Sequence, residues 1–166
     1  MTDTPHITLV VSVFGDPDRQ RDLHAILAIV PGGRPLPGTG GRMIEPGRAA
    51  AGYFGFQPAP VWCVAPVLRG EDDPAGLIGA AIRDGLRLAG EQGFRKAGIV
   101  IGGKEPLILS WQEVTAIVAS AVQGHVAEGC PLEEIRLIAS DSAVLSHVKA
   151  CLATPGSCPP PLRPPH

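Results

Sequence analysis

Aromatic side chains are scarce in this chain, at four Phe, two Trp and one Tyr, or 4% of 166 residues. An interior with so few rings must be filled by aliphatic side chains, alanine and glycine, so the elements are expected to pack through close backbone contact. Charge is thin as well. Asp, Glu, Lys and Arg make up 18% of the residues, the formal net charge is −2 and the isoelectric point is near 6.2, which leaves no basic footprint for nucleic acid. The four cysteines, Cys63, Cys130, Cys151 and Cys158, are scattered without a paired CxxC spacing, so idle thiols are expected and a zinc site is not. No His cluster has metal spacing either, and no resident metal or cofactor is expected. No apolar run reaches membrane-spanning length, so no membrane partner is expected. The first positive charge is Arg19, and Thr8 and Ser12 interrupt the apolar segment from Ile7 to Phe14, so no secretory leader is read and the expected location is the cytoplasm.

Glycine, by contrast, is abundant and clustered. Leu36-Pro37-Gly38-Thr39-Gly40-Gly41 holds three glycines in four residues, and Gly102-Gly103-Lys104 follows the apolar run Ala97 to Ile101. Glycine admits positive φ and close approach, and successive unshielded N–H groups can form an anion-binding nest. Two such loops, each after a strand, are expected to share one crevice and hold a ligand with more than one phosphate. The same sequence also reads as flexible loops in a glycine-rich chain.

The remaining pattern is that of alternating strands and helices. Ile7 to Phe14 reads as a strand that stops at Gly15-Asp16-Pro17, with Asp16 or Asp18 capping a short helix that carries Arg19 to Asp22 outward. Ala25 to Val30 reads as a strand buried on both faces and ended by Pro31. Residues 31–48 read as a long functional loop, and Tyr53 to Phe56 and Val61 to Ala65 as two short strands. Between Pro74 and Glu91, Ile78, Ile82, Leu86 and Ala89 recur at helical spacing. Ala97 to Ile101 is the next strand. Ser110-Trp111-Gln112-Glu113 has capping-box spacing and opens a helix with Val114, Ile117, Val118, Ala121 and Val122 along its apolar stripe. Ile135 to Ala139 is a last strand, and Ser140 or Asp141 caps a final helix bearing Val144, Leu145, Val148 and Leu152. The alternation predicts an α/β fold: a three-layer α/β/α sandwich on a mixed central sheet spanning residues 1–153. The proline-rich 154–166 reads as a tail or linker, through which a further domain or a protein partner would be joined.

Taken in order, these segments resemble the macro domain, an α/β module whose members bind ADP-ribose and in some cases hydrolyse its conjugates. Ile7 to Asp16 resembles the family's opening strand ending in Gly-Asp, and Leu36 to Gly41 its Leu-x-Gly-Gly-Gly-Gly phosphate loop. Gly47 to Pro66 is similar to the stretch leading through a strand into a proline turn. Leu86 to Ala89 with Gln92 to Lys96 resembles the helix before the second phosphate loop, here Ile101-Gly102-Gly103. The likeness extends to the amino-terminal domain of leucine aminopeptidases, a structural or regulatory module.

The resemblance implies that Asp16 accepts a hydrogen bond from an adenine amino group, while an Asp before Pro equally reads as a turn cap. Pro17 has no N–H for the neighbouring ring contact, a loss of roughly 0.5–1.5 kcal/mol. It also implies phosphate binding by Gly38, Thr39, Gly40, Gly41, Gly102 and Gly103. Arg42 supplies a bidentate contact and Lys104 a mobile charge, although both also read as ordinary exposed cations. The family's Asn-Ala-Ala-Asn segment falls at Ala28-Ile29-Val30-Pro31, without either amide, and the acidic residue of hydrolytic members falls near Arg42-Met43. No catalytic residue is therefore assigned, and the expected function is binding of ADP-ribose or a related nucleotide diphosphate, as the sensor part of a larger protein. Two alternatives stay open: an ADP-ribosyl hydrolase or phosphatase using Glu45 or Asp16 as base, and a ligand-free scaffold whose pocket Met43 or Leu36 would plug.

Overall fold

A computed structural model of the chain describes residues 8–15, 20–33, 35–36, 38–39, 43–52, 58–66, 73–101 and 109–153. Its first two strands are β1 (Leu9–Phe14) and β2 (Ala25–Pro31), both drawn from β-branched or continuous apolar sequence. Then come β3 (Ala49–Ala51), β4 (Ala59–Ala65), α1 (Pro74–Glu91), β5 (Lys96–Ile101), α2 (Trp111–Ala127), β6 (Glu134–Ala139) and α3 (Ser142–Ala153). The strands form one six-stranded sheet in the order β1-β6-β5-β2-β4-β3, parallel except for the antiparallel β3–β4 pair. This is the mixed sheet expected from the sequence.

Helical periodicity decides what the sheet packs against. Ile78, Ile82, Leu86 and Ala89 of α1 are fully buried, and each large aliphatic side chain so placed contributes about 1.5–3 kcal/mol. Val114, Val118, Ala121 and Val122 of α2 join them, as do Val144 and Val148 of α3, over a single face of the sheet formed by Leu27, Cys63, Ile99, Ile135 and Leu137. The close backbone approach anticipated for a ring-poor chain is visible at Gly85, where a Cβ would lie 2.8 Å from Leu27 Cδ2 and 2.9 Å from Cys63 Sγ. All three helices among the described residues lie on this face. The other face is covered at β2 and β4 by the long loop after β2, whose Leu36 and Ile44 pack on Val30, Val64 and Trp62.

One expectation is corrected. The helix placed around Arg19 to Asp22 is not formed in its described part: residues 20–24 make a tight turn in which the Leu23 N–H donates to the Gln20 C=O (3.2 Å). The turn is held by tertiary contacts, with Arg136 of β6 donating to Asp22 through two nitrogens (2.9 and 2.8 Å) and to Gln20 (2.8 Å). Asp16 and Asp18, the proposed caps, lie outside the described residues. The strand expected at Tyr53 to Phe56 also lies outside them, and among the described residues the strand before β4 is Ala49–Ala51.

Candidate functional site

Parallel pairing aims the carboxyl ends of β1, β2, β4, β5 and β6 at one rim of the sheet. Each of α1, α2 and α3 follows one of these strands, so the three helix amino termini open toward that rim and favour negative charge there. Asp73, Ser110 and Asp141 cap them, accepting from Gly76, Glu113 and Val144 N–H groups respectively.

At the centre of this rim the sheet divides. β2 pairs with β4 along all of Ala25–Pro31, and β5 with β6 along all of Lys96–Ile101, yet β2 and β5 pair only from Ala25 to Leu27 and Ala97 to Ile99. Beyond Leu27 and Ile99 the two central strands no longer share a ladder. The chain leaves β2 toward β3 at one side of the sheet and leaves β5 toward β6 at the other, which makes this the topological switch point where α/β sheets hold ligands. Gly32 and Gly33 follow β2 here, and the Gly32 N–H is engaged by the Ala65 C=O (2.9 Å).

Of the residues singled out from the sequence, Gly38 and Thr39 are described. Gly38 takes φ +77°, while the Thr39 N–H (3.4 Å) and hydroxyl (2.7 Å) both donate to the Leu36 C=O. Positive φ at the third residue and closure onto the first are what a type II turn requires, so these two residues have a local structural role. They line a hollow of about 400 Å³ with Ile44, Ala49, Ala50, Ala51, Leu88 and Gln92, on the β3 side of the sheet and beside the last turns of α1. Asp16, Gly40, Gly41, Arg42, Gly102, Gly103 and Lys104 lie outside the described residues, and the expected convergence of the two glycine loops rests on them. Leu36 is buried against Val30 and Val64, Met43 is 59% exposed, and Glu45 is exposed with its C=O accepting from the Arg48 N–H (3.2 Å).

Several contacts that shape this region have no signal in the sequence. Asp84 of α1 accepts from the Ala49 N–H (2.8 Å) and pairs with Arg87, fastening β3 and the loop before it to α1. His24, at the foot of β2, accepts at Nδ1 from the Arg95 and Lys96 N–H groups (3.0 and 3.2 Å), an imidazole used to anchor backbone. Both pairings join positions distant in the chain, and only the folded topology brings them together. Burial pushes the Cys63 thiol far above its ordinary range, with the Asp84 charge adding to the effect, so no thiolate is offered there. Among the described residues no group of three His, Cys, Asp or Glu could hold a metal ion, and no helix is long and apolar enough to cross a membrane.

No protein-family profile and no curated protein matches the sequence. Solved structures do match in shape. An alanine mutant of the Oceanobacillus iheyensis macrodomain superposes with a TM-score of 0.73 at 13% identity, covering 92% of this chain and 95% of its own. A second mutant of that protein, solved with ADPR, gives 0.72 at 12% identity over 92% and 96%. The Trypanosoma brucei macrodomain in complex with ADP gives 0.58 at 18% identity over 78% and 63%. With the sheet order and the helices after β4, β5 and β6 already in place, these likenesses establish that the chain has the macrodomain fold.

Proposed function

We propose that this chain is a non-catalytic binding module for ADP-ribose or a related nucleotide diphosphate, seated at the rim where β2 and β5 part. The observation that carries the reading is that partial ladder, a division of the sheet at its switch point between strands that both run into glycine-rich segments. The fold supports the ligand class, because structures of the same fold were solved with ADPR and with ADP.

In this reading a pyrophosphate lies against main-chain N–H groups of Gly40, Gly41, Gly102 and Gly103, with Arg42 and Lys104 as cationic partners. The Gly38–Thr39 turn launches the first of these segments. Helix amino termini on the same rim add favourable potential for an anion. Asp16, after β1, accepts from the adenine amino group. Catalysis is not assigned, since the residues of β2 from Ala28 to Pro31 carry no side-chain amide, and Arg42 and Met43 offer no carboxylate to activate water. Such a module would serve as the sensor part of a larger protein, in a cytoplasmic setting.

Calorimetric titration of the full chain with ADP-ribose tests the reading. Saturable heat below millimolar ligand is expected, weakened by Asp16→Ala for ADP-ribose but unaltered for ribose 5-phosphate. Absence of heat and of any thermal shift at millimolar ADP-ribose would remove the proposal. Release of ADP-ribose from a modified protein, abolished by Glu45→Gln, would assign hydrolysis in its place.

A further inference from the structure

The two borders of the sheet are unlike. β3 is only three residues long, a short edge of the kind that resists pairing with other chains. β1 has six residues, Leu9-Val10-Val11-Ser12-Val13-Phe14, with no charge, proline or glycine, and among the described residues its one neighbour is β6. Leu9 is 56% and Phe14 60% exposed, and no residue between them is fully buried. An apolar edge of this length that no described strand covers is a template for another strand.

Its hydrogen-bonding register can be read directly. The Leu9 N–H donates to Glu133 C=O and the Gly15 N–H to Ala139 C=O, so odd-numbered residues turn their backbone groups toward β6. Val10, Ser12 and Phe14 therefore direct N–H and C=O outward. A twofold axis perpendicular to the sheet at Ser12 would set Ser12 opposite its own copy and Val10 opposite Phe14 of the second copy. Each outward residue would then exchange both bonds with its partner, in an antiparallel ladder with side chains meeting on matching faces. No charge lies on either strand to oppose that pairing.

The helix above this edge continues the surface. On α3, Val144, Val148 and Cys151 are buried, and His147 lies on the α2 flank, where its ring meets Trp111 edge-on at 5.6 Å. By helical spacing Leu145 and Leu152 fall on the flank opposite His147, half-buried against the core, on a helix that packs over both β1 and β6, while Lys149 is exposed. The proline-rich 154–166 is a poor alternative occupant, because its prolines lack the N–H groups that a ladder needs.

We propose that β1 pairs antiparallel with β1 of a second copy of this chain about a twofold at Ser12, joining the two sheets into one and bringing Leu145 and Leu152 of the two α3 helices together. Six strand residues and two leucines per copy bury on the order of 1,000 Å², near the lower limit for a specific interface, so the dimer is weak and concentration-dependent.

Sedimentation of the full chain over roughly 1–500 μM should show the average mass rising from 17.2 kDa toward twice that value. Ser12→Pro removes an outward N–H for which the described residues give no partner and should leave a folded monomer at every concentration. If Ser12→Pro fails to fold, Leu145→Glu, on the helix flank, should weaken self-association by at least about tenfold. Ser12→Cys in a Cys158→Ser background should form a disulfide-linked dimer under mild oxidation, since opposed residues of a bonded pair lie about 5.5 Å apart between Cα atoms. A mass of 17.2 kDa throughout, or a dimer indifferent to both Ser12→Pro and Leu145→Glu, would overturn the proposal.

Discussion

At the scale of single residues, one half-buried imidazole gives the chain a response to pH. His125, in the last turn of α2, has a buried Nε2 with no hydrogen-bond partner. Burial lowers its pKa below the ordinary 6.5, the nearby Glu128 carboxylate opposes that shift, and the Arg83 guanidinium from α1 reinforces it. Arg83 reaches across from α1 to Gly124, where its Nη2 lies 2.4 Å from the place a Cβ would occupy, and pairs with Glu128 at 3.7 Å. The sign follows from proton uptake. Above 6.5 neither folded nor unfolded chain holds the extra proton, and His125 makes no pH-dependent contribution. Below 6.5 the unfolded chain takes up a proton that the folded chain refuses, so stability falls with pH until the folded value is passed, after which the loss is complete. Thermal unfolding between about pH 7.5 and about pH 5 should therefore show a decline in wild type that His125→Gln lacks. Equal slopes for the two proteins would place the titration elsewhere.

At the scale of elements, what was legible in the sequence followed from local chemistry. The four- and three-residue spacings of α1 predict Pro74–Glu91, which is the helix observed, and the capping-box serine predicts Ser110, whose hydroxyl accepts from Glu113 N–H at 3.2 Å. The final helix is capped by Asp141, the second of the two residues considered, accepting from Val144 N–H at 2.9 Å. The illegible elements are those fixed by distant partners. Ala49–Ala51 has little intrinsic preference for a strand and is one because β4 pairs with it and Asp84, 35 positions away, accepts from its first N–H. Likewise the 20–24 turn is held by Arg136, which also meets Glu134 at 2.7 Å, and whose hydrogen bonds hold Asp22 at a pKa of about 2. The β3 tether has a measurable consequence. Asp84→Ala removes a charge-assisted bond from a largely buried site and should cost about 1.5–3 kcal/mol of stability. Amide exchange should accelerate at Ala49–Ala51 more than at Glu134–Ala139, and uniform acceleration would show that Asp84 supports the whole core and has no special hold on the β3 border.

At the scale of the molecule, fold class and site were legible to different depths. Apolar runs and helix stripes carry the alternation of strands and helices, hence the mixed α/β architecture. Strand order, the parting of β2 from β5 and the open β1 border depend on which strands become neighbours, and no local pattern encodes that choice. Gly38 illustrates the limit at the site: its sequence context reads as a phosphate cradle or a flexible loop, and the structure gives it φ +77° in a closed turn, a backbone conformation that an anion nest also uses. The extent of the folding unit is decided by where burial ends. On α3 the last fully buried residue is Cys151, with Leu152 half-buried against the same core, and the helix closes at Ala153. The five buried core positions of β6 and α3 from Ile135 to Val148 all precede that point. A chain terminated after Ala153 should therefore keep the melting temperature of the full chain, since every described member of the buried cluster is retained. It should also keep the affinity for ADP-ribose, whose proposed contacts all lie between Asp16 and Lys104. Termination after Lys149 instead removes Cys151 and Leu152 and should cost about 2–5 kcal/mol, as large-to-small changes at buried positions do. Comparison of the two truncations by thermal unfolding and titration checks this boundary: a loss of stability on removing 154–166 alone would extend the folding unit into the proline-rich segment.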